Sequence, residues 1–371
     1  MPASTDRSAG GPVSTADVLI LPAHPAEGAL SMNRYRTELS RQIDAGIFGE
    51  MTLRFPFPAP ASTRRAGRLE RAAQKYLLYP QKARSQVRDA DVVHVLDHSW
   101  AHLLQGVPNR ILKIATVHDL APLRTDDLTP GQRVRFRKII ENLRGSDLIL
   151  AASAHTASDV MDLLEIPADR IQVLPMGVDV SAFSVPATAH LDAIPEGPRV
   201  VSVGSTLLRK NLSILPSIFA AVKQAVPDIV FVRAGEKVSP ELRSALVETL
   251  DFERFVELGA ISDAELAALY QSADALIFPS VYEGFGFPLL EAMAAGCAAI
   301  SSDATSLREV GGDAALYFSP NDAAQAAAHL VEVCRDQGTR QSLIDAGRKR
   351  VLEFSWERHA TQLREIYTSA Q

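Results

Sequence analysis

The sequence predicts an α/β protein with two doubly wound domains, each built on a parallel sheet. Short apolar runs typical of buried strands recur along the whole chain, as at Val18–Leu21 and Ala275–Pro279. Helical patterns such as Asn33–Ile43 lie between them, which indicates βαβ units. The length of 371 residues corresponds to two or three domains. A stretch rich in Pro, Ala and Ser, Ser181–Pro198, separates two similar halves, so we expect two domains.

Each half contains five apolar runs that we predict to be strands. The predicted strands are Val18–Leu21, Val92–Val95, Ile111–Val117, Leu148–Ala151, Ile171–Leu174, Arg199–Gly204, Ile229–Val232, Phe255–Gly259, Ala275–Pro279 and Ala298–Ser301. Ser262 and Asp263 are expected to cap a helix over 264–272. The chain is expected to end in helices over 322–334 and 340–369. Two such domains place a ligand cleft between the C-terminal ends of their strands.

Composition excludes several classes of protein. The net charge of −6 argues against a nucleic-acid binder. Two cysteines, Cys297 and Cys334, exclude a disulfide scaffold and a cysteine-ligated zinc site and fit a reducing compartment. No apolar run reaches the ~18 residues needed to span a membrane. The Ser-, Gly- and Pro-rich segment Met1–Thr15 lacks the apolar core of a signal peptide, so we expect a cytoplasmic protein.

Positive charge is concentrated in the first half of the chain. Ser62–Arg88 carries +7, which leaves −13 for the rest. Its basic residues are Arg64, Arg65, Arg68, Arg71, Lys75, Lys82, Arg84 and Arg88. A second basic cluster lies within Arg133–Arg144. These segments are either solvated helix faces or a surface for anionic lipid or a phosphate-bearing acceptor, at about 1 kcal/mol per basic residue near a membrane. The second alternative predicts peripheral contact of 62–88 with the inner face of a membrane.

The string Ser280–Glu291 is the most informative part of the sequence. Two carboxylates, Glu283 and Glu291, lie eight positions apart. Gly284 and Gly286 between them allow a tight loop with exposed backbone N–H groups. A glycine-bearing loop that opens a helix binds anions through those groups and the helix dipole. A purely structural strand–turn–helix joint is the alternative.

This string and its surroundings resemble the retaining glycosyltransferases of family four, which have the GT-B fold of two Rossmann-like domains. The resemblance is close over 200–316 and looser in the first half. It rests on Val203-Gly204, Arg209-Lys210-Asn211, Ser272–Ala275, Glu283–Glu291, Ala295–Cys297 and Leu307–Gly312. The sequences of Tyr282–Leu289 and Thr116–Leu120 resemble those of bacterial mannosyltransferases of cell-surface polysaccharide assembly. It implies transfer of a sugar from a nucleotide diphosphate sugar with retention of anomeric configuration.

The resemblance assigns the donor site mainly to the second half. Arg209 and Lys210 follow the Gly204 turn, where two cations can clamp the diphosphate. Glu283 is expected to bind hydroxyls of the donor sugar and Glu291 the ribose diol. The full predicted donor site consists of Gly28, Ser31, Gly204, Arg209, Lys210, Glu283, Gly284, Phe285, Gly286, Phe287 and Glu291, with Arg233, Val256 and Leu258 near the base. Ser205 stands where many members carry Arg, and it has no assigned charge role.

The first half is expected to supply the acceptor side and one catalytic group. His118 follows a predicted strand, and the resemblance places it beside the transferred sugar. Asp119 either orients the ring of His118 or caps the next segment. Met32, Asp97, His98 and Asp119 are the predicted acceptor contacts, and His118, Glu283, Arg209 and Lys210 are the predicted catalytic residues.

The predicted layout is a flexible N-terminus over 1–16, an acceptor domain over 17–185, a donor domain over 186–354 and a C-terminal helix over 355–371 that returns to the acceptor domain. No metal and no cofactor are expected, because cationic side chains and helix N-termini can replace a metal. The favoured reaction is front-face displacement from GDP-mannose to a glycan or lipid-linked acceptor. The alternatives are a UDP-hexose donor with a small soluble acceptor, or a nucleotide-sugar-binding subunit without catalysis.

Overall fold

A computed structural model describes residues 16–24, 30–57, 67–186 and 194–369, without the side chains of Leu30, Ser31 and Arg68. Within these residues, twelve strands form two six-stranded parallel sheets. The strands are β1 (Asp17–Leu21), β2 (Thr52–Arg54), β3 (Val92–Val95), β4 (Leu112–Val117), β5 (Leu148–Ala151), β6 (Ile171–Val173), β7 (Arg199–Gly204), β8 (Val230–Gly235), β9 (Phe255–Gly259), β10 (Ala275–Phe278), β11 (Ala298–Ser302) and β12 (Ala315–Phe318).

The strand order of each sheet identifies the point at which its winding reverses. The first sheet has the order β2-β1-β3-β4-β5-β6 and the second β12-β11-β10-β7-β8-β9. The reversal therefore lies between β1 and β3 in the first sheet and between β7 and β10 in the second. In open parallel sheets, ligands bind beyond the carboxyl ends of the strands at this point.

Helices connect the strands, as a parallel sheet requires. They are α1 (Leu30–Asp44), α2 (Arg68–Ala73), α3 (Tyr79–Gln86), α4 (Ala121–Arg124), α5 (Pro130–Ile140), α6 (Ala154–Leu164), α7 (Val180–Ser184), α8 (Leu215–Ala225), α9 (Pro240–Leu250), α10 (Asp263–Gln271), α11 (Phe287–Ala295), α12 (Leu307–Gly311), α13 (Ala323–Arg335), α14 (Gln337–Val351) and α15 (Trp356–Ser369). A π-helical turn, Gln74–Leu78, joins α2 to α3. In the part of the chain that the structure describes, no helix has the length and apolar character needed to cross a membrane.

The chain divides into two compact units. The first contains the described residues up to Thr116, together with Ile139–Ile149 and the segment that starts at Ala360. Within this unit, the Tyr367 hydroxyl of α15 lies 2.6 Å from Nδ1 of the fully buried His94 of β3. The second unit contains Val117–Lys138 and Leu150–His359. The domain boundaries expected from the sequence stay predictions.

The core of the second sheet follows directly from its apolar strands. Phe231 of β8 lies between Phe219 of α8 and Phe255 of β9, with ring centroids 4.5 Å and 5.5 Å apart. Ile277 of β10 and Leu330 of α13 belong to the same buried cluster. Burial of side chains of this size contributes about 1.5–3 kcal/mol each, which holds the ends of the strands in place.

Most of the predicted elements are confirmed, including the helix cap at Ser262, which forms a capping box with Glu265 at the start of α10. The continuous helix expected over 340–369 is wrong. It is divided into α14 and α15, because the Phe354 carbonyl accepts a hydrogen bond from Val178 N (2.7 Å) and Ser355 caps a new helix through Arg358 N (3.1 Å). The edge strands β2 and β12 were not expected, since they are only three and four residues long and partly solvent-exposed.

Candidate functional site

The loop between β10 and α11 carries Glu283, and hydrogen bonds from Thr305 and Ser306 hold its backbone in place. Thr305 Oγ1 accepts a hydrogen bond from Glu283 N and donates one to Glu283 O, each at 2.9 Å. Ser306 Oγ donates to Glu283 O (2.9 Å) and to Phe285 O (3.1 Å). Gly286 takes φ +111° as the residue before α11, a conformation that favours glycine. These contacts fix the backbone on both sides of the Glu283 side chain.

The loop after β7 brings two cations to this carboxylate. Lys210 Nζ lies 2.6 Å from Glu283 Oε1, and Arg209 Nη1 lies 3.1 Å from Glu283 Oε2. All three side chains are at least four-fifths buried. Asn211 holds this loop in place at φ +53°, because its amide donates to the carbonyls of Pro279 (3.1 Å) and Pro320 (2.8 Å). Glu283, Arg209 and Lys210 therefore form one ion cluster, called the clamp below, beyond the carboxyl ends of β7 and β10.

A fourth charged residue, Asp127, completes the charge balance of the clamp. Its buried carboxylate lies 3.3 Å from Nε of Arg209 and accepts a hydrogen bond from the backbone N of Arg209, also at 3.3 Å. Two cations and two carboxylates leave the group formally neutral. Sequence reasoning did not identify Asp127, because the segment Thr125–Asp127 has the composition of an ordinary polar turn.

Gly284 lies directly against the backbone of His118. A Cβ built on Gly284 would be 2.0 Å from the His118 carbonyl oxygen and 2.5 Å from Cβ of Asp119. Thr156 Oγ1 lies 3.3 Å from the carbonyl oxygens of both His118 and Gly284. The Asp119 carboxylate accepts a hydrogen bond from Ala121 N (3.0 Å), the first residue of α4. The segment that carries His118 and the loop that carries Glu283 are thus packed backbone to backbone.

Arg233, expected near the base, supports the turn that precedes the clamp. It is 1% exposed, and its Nη2 donates to the carbonyls of Gly204 (2.7 Å) and Ser205 (2.8 Å). Burial lowers the pKa of the Arg233 guanidinium to about 10. Among the described residues its Nε has no hydrogen-bond partner. Gly235 permits this packing, since a Cβ there would lie 2.3 Å from the Gly204 carbonyl oxygen.

The remaining predicted donor residues are distributed around the clamp. Glu291 lies one turn inside α11, is 5% exposed and receives a weak contact of 3.5 Å from the Tyr270 hydroxyl. Phe285 and Phe287 pack edge to face, with centroids 5.3 Å apart. Val256 and Leu258 are half-buried in β9. Their donor roles stay predictions.

The predicted acceptor residues belong to the first unit, apart from Asp119. Asp97 caps a 3₁₀ turn by accepting a hydrogen bond from Ser99 N (2.8 Å), and its carboxylate lies 3.8 Å from Nδ1 of His98. Gly28 and the side chain of Ser31 lie outside the described residues. The acceptor roles of Met32, Asp97 and His98 stay predictions.

Two doubly wound sheets, with a cation–carboxylate cluster beyond the strand ends at the switch point of one of them, define an α/β protein of the doubly wound class. Comparisons with known proteins are more specific. Residues 38–182 match the model of Glycosyltransferase Family 4, and residues 190–350 match the model of Glycosyl transferases group 1.

Individual relatives agree with the family models. The chain is 30% identical over 306 residues to the O-antigen chain mannosyltransferase B of Escherichia coli, covering 78% of each chain. It is 28% identical over 265 residues to the serotype-specific mannosyltransferase WbdA of Escherichia coli, where it spans 32% of a longer protein. The structure of sucrose-phosphate synthase from Thermosynechococcus elongatus superposes with a TM-score of 0.74 at 21% identity, covering 95% of this chain and 98% of that one.

The chain belongs to glycosyltransferase family 4 and has the GT-B fold. The predictions of the family, of the fold and of a hexosyltransferase enzyme are confirmed.

Proposed function

We propose that the enzyme transfers mannose from GDP-mannose, with retention of configuration, to a hydroxyl of a glycan or lipid-linked acceptor. The observation that carries the proposal is the clamp of Arg209, Lys210 and Glu283 at the switch point of the second sheet. A nucleotide sugar brings about two negative charges on its diphosphate, which two buried cations can bind. The choice of mannose and of a glycan acceptor is supported by the names of the Escherichia coli relatives.

The clamp supplies the electrostatic part of the mechanism. Negative charge grows on the diphosphate as it leaves, and fixed cations stabilise it without reorganisation. Arg209 offers planar paired donors, and Lys210 offers a compact charge. In the proposed front-face displacement, the acceptor oxygen forms its bond to the anomeric carbon on the side from which the diphosphate departs. The acceptor proton passes to an oxygen of the leaving diphosphate, so the step needs no enzymic base.

Donor binding exchanges partners within the clamp. Before binding, both oxygens of Glu283 are engaged by Lys210 and Arg209. When the diphosphate takes over the cations, the Glu283 carboxylate becomes available to hydroxyls of the donor sugar. His118, on the segment that packs against Gly284, then lies beside the transferred sugar. We propose that no metal is required, because the two cations and the N-terminus of α11 supply the positive field.

The acceptor is proposed to be presented at an anionic membrane surface. In α2 and the π-helical turn, Leu69 is 87% exposed and Leu77 60% exposed. Lys82, Arg84 and Arg88 are exposed in the following segment. Exposed leucines beside basic side chains are typical of helices that lie on anionic lipid.

A donor panel tests the proposed activity. Purified enzyme is incubated with GDP-mannose, UDP-glucose or UDP-galactose, with and without bacterial lipid extract, and release of the nucleoside diphosphate is measured. We expect turnover with GDP-mannose that requires the extract and is lost in Lys210→Ala. Lys223→Ala removes a lysine paired with Asp251 on the surface and serves as the matched control. Turnover with a UDP-hexose alone contradicts the proposed donor, and absence of turnover with every donor contradicts the proposed activity.

Vesicle flotation tests the proposed membrane contact. The 371-residue enzyme should float with phosphatidylglycerol vesicles at low salt and be released at high salt, because screening weakens the basic contacts. Leu77→Ser should reduce flotation several-fold. Leu352→Ser, which changes a leucine of similar exposure (64%) in the second unit, should leave it unchanged. Equal flotation of both variants contradicts the placement of the surface.

A further inference from the structure

The loop that carries Glu283 is also held from the side of His118, through Tyr282. Tyr282 is 5% exposed and directly precedes Glu283. Its hydroxyl donates a hydrogen bond to Asp159 Oδ2 and accepts one from Leu120 N at 3.3 Å. The hydroxyl therefore joins the loop after β10 to α6 and to the segment that follows β4.

Asp159, which accepts this hydrogen bond, is a buried carboxylate held in place by neighbouring side chains. Its side chain is 4% exposed, and its Oδ1 accepts from Arg124 Nε at 2.7 Å. The ring of His155, one turn earlier on α6, packs edge to face on Tyr282 with centroids 5.4 Å apart. Burial and the nearby carboxylate raise the pKa of the Tyr282 hydroxyl well above its usual value, so it remains a donor throughout the neutral range.

Helix α6 contacts both catalytic segments through a single face. Thr156 lies three residues before Asp159, hence on the same side of the helix. Its Oγ1 lies 3.3 Å from the carbonyl oxygens of His118 and Gly284. One face of α6 thus touches the segment of His118 through Thr156 and the loop of Glu283 through Asp159.

Contacts other than those of the Tyr282 hydroxyl also hold this loop in place. Thr305 and Ser306 already fix the backbone at Glu283 and Phe285 from the opposite side. The pair of Tyr282 and Asp159 adds a link between the Glu283 loop and the segment that carries His118. A difference of about 1 Å between reacting groups costs about 10²-fold in rate, so such a link bears on turnover more than on folding.

We propose that Tyr282 and Asp159 are positioning residues that set the Glu283 carboxylate relative to His118 for sugar transfer. The inference rests on the proposed transferase activity. Neither residue touches the donor in this account; both act through the placement of the clamp. Loss of the hydrogen bond between Tyr282 and Asp159 leaves the charges of Arg209 and Lys210 in place. Donor binding is therefore largely retained in such variants.

Steady-state kinetics with saturating acceptor test this inference. Tyr282→Phe removes one oxygen and keeps the packed ring, and we expect kcat to fall at least 10-fold with the donor KM changed less than threefold. Tyr317→Phe is the matched control, because it removes a hydroxyl that contacts the Leu307 carbonyl at 3.4 Å in the same unit. It should leave kcat and KM unchanged.

Variants at Asp159 distinguish positioning from stability. Asp159→Asn keeps an acceptor oxygen and should retain most of kcat, whereas Asp159→Ala should lose as much as Tyr282→Phe. The double variant of Tyr282→Phe with Asp159→Ala should be no slower than the slower single variant. If Tyr282→Phe lowers the melting temperature but keeps kcat within twofold, the inference is overturned while the transferase stands. If wild-type enzyme turns over no donor, the proposed function fails and the inference fails with it.

Discussion

The packing of Gly284 on His118 makes a single methyl group a severe perturbation. In Gly284→Ala the new Cβ would lie 2.0 Å from the His118 carbonyl oxygen, whereas ordinary contact begins at 3.4 Å. The two segments must therefore separate by about 1.4 Å. Neither can yield cheaply, because Thr305 and Ser306 hold one and Thr156 contacts both.

The expected cost has a structural and a catalytic part. Overpacking a well-packed site destabilises by about 1–3 kcal/mol, so the free energy of unfolding should fall by that amount. A displacement of about 1 Å between catalytic groups lowers the rate by about 10²-fold, so kcat/KM should fall by about that factor. The catalytic loss exceeds what the loss of folded protein can explain.

The assay compares kcat/KM and urea unfolding of wild-type enzyme, Gly284→Ala and Gly131→Ala. A Cβ at Gly131, in the first turn of α5, meets no atom within 4 Å, so this control should keep full activity. An active Gly284→Ala enzyme, within threefold of wild type and equally stable, would refute the reasoning that activity and stability depend on this close packing.

Three further predictions concern charge. Glu283→Gln should lose activity and about 3 kcal/mol of stability, because Lys210 then lies buried beside a neutral amide and the clamp carries one unbalanced positive charge. GDP should raise the melting temperature of this variant more than that of wild type, and an equal rise contradicts the charge balance. Burial lowers the pKa of His359 to about 4, so between pH 6.5 and 4 the unfolded chain binds a proton that the folded chain does not. Wild-type stability should therefore decrease by about 3 kcal/mol more than that of His359→Asn as the pH falls through this range, measured by urea unfolding; parallel pH curves contradict this. Arg233→Met should lower the free energy of unfolding by about 2 kcal/mol in the same measurement, since it leaves two backbone carbonyls without their charged donor. Unchanged stability contradicts the role of Arg233 in the turn.

Short motifs at strand ends could be assigned to the site from the sequence, because the topology of a doubly wound sheet brings those ends together. Arg209 and Lys210 follow one apolar strand, and Glu283 follows another. In a doubly wound sheet such ends meet at the switch point, and the structure brings Lys210 to 2.6 Å and Arg209 to 3.1 Å from the Glu283 carboxylate.

Partners distant in sequence could not be found in this way. Asp127 lies 82 residues from Arg209, and Asp159 lies 123 residues from Tyr282. Each looks like a solvated acid on a loop or helix until tertiary packing buries it. The break after α14 was hidden for the same reason, since it depends on the contact of Phe354 with Val178.

Titration of GDP into the unliganded enzyme most directly measures how tightly the clamp binds a nucleoside diphosphate. We expect Lys210→Ala to bind GDP at least 30-fold more weakly than wild type at 0.1 M salt. Lys223→Ala, the surface control, should bind as wild type does. Equal affinity of Lys210→Ala and wild type would contradict the claim that this cluster holds the diphosphate of the donor.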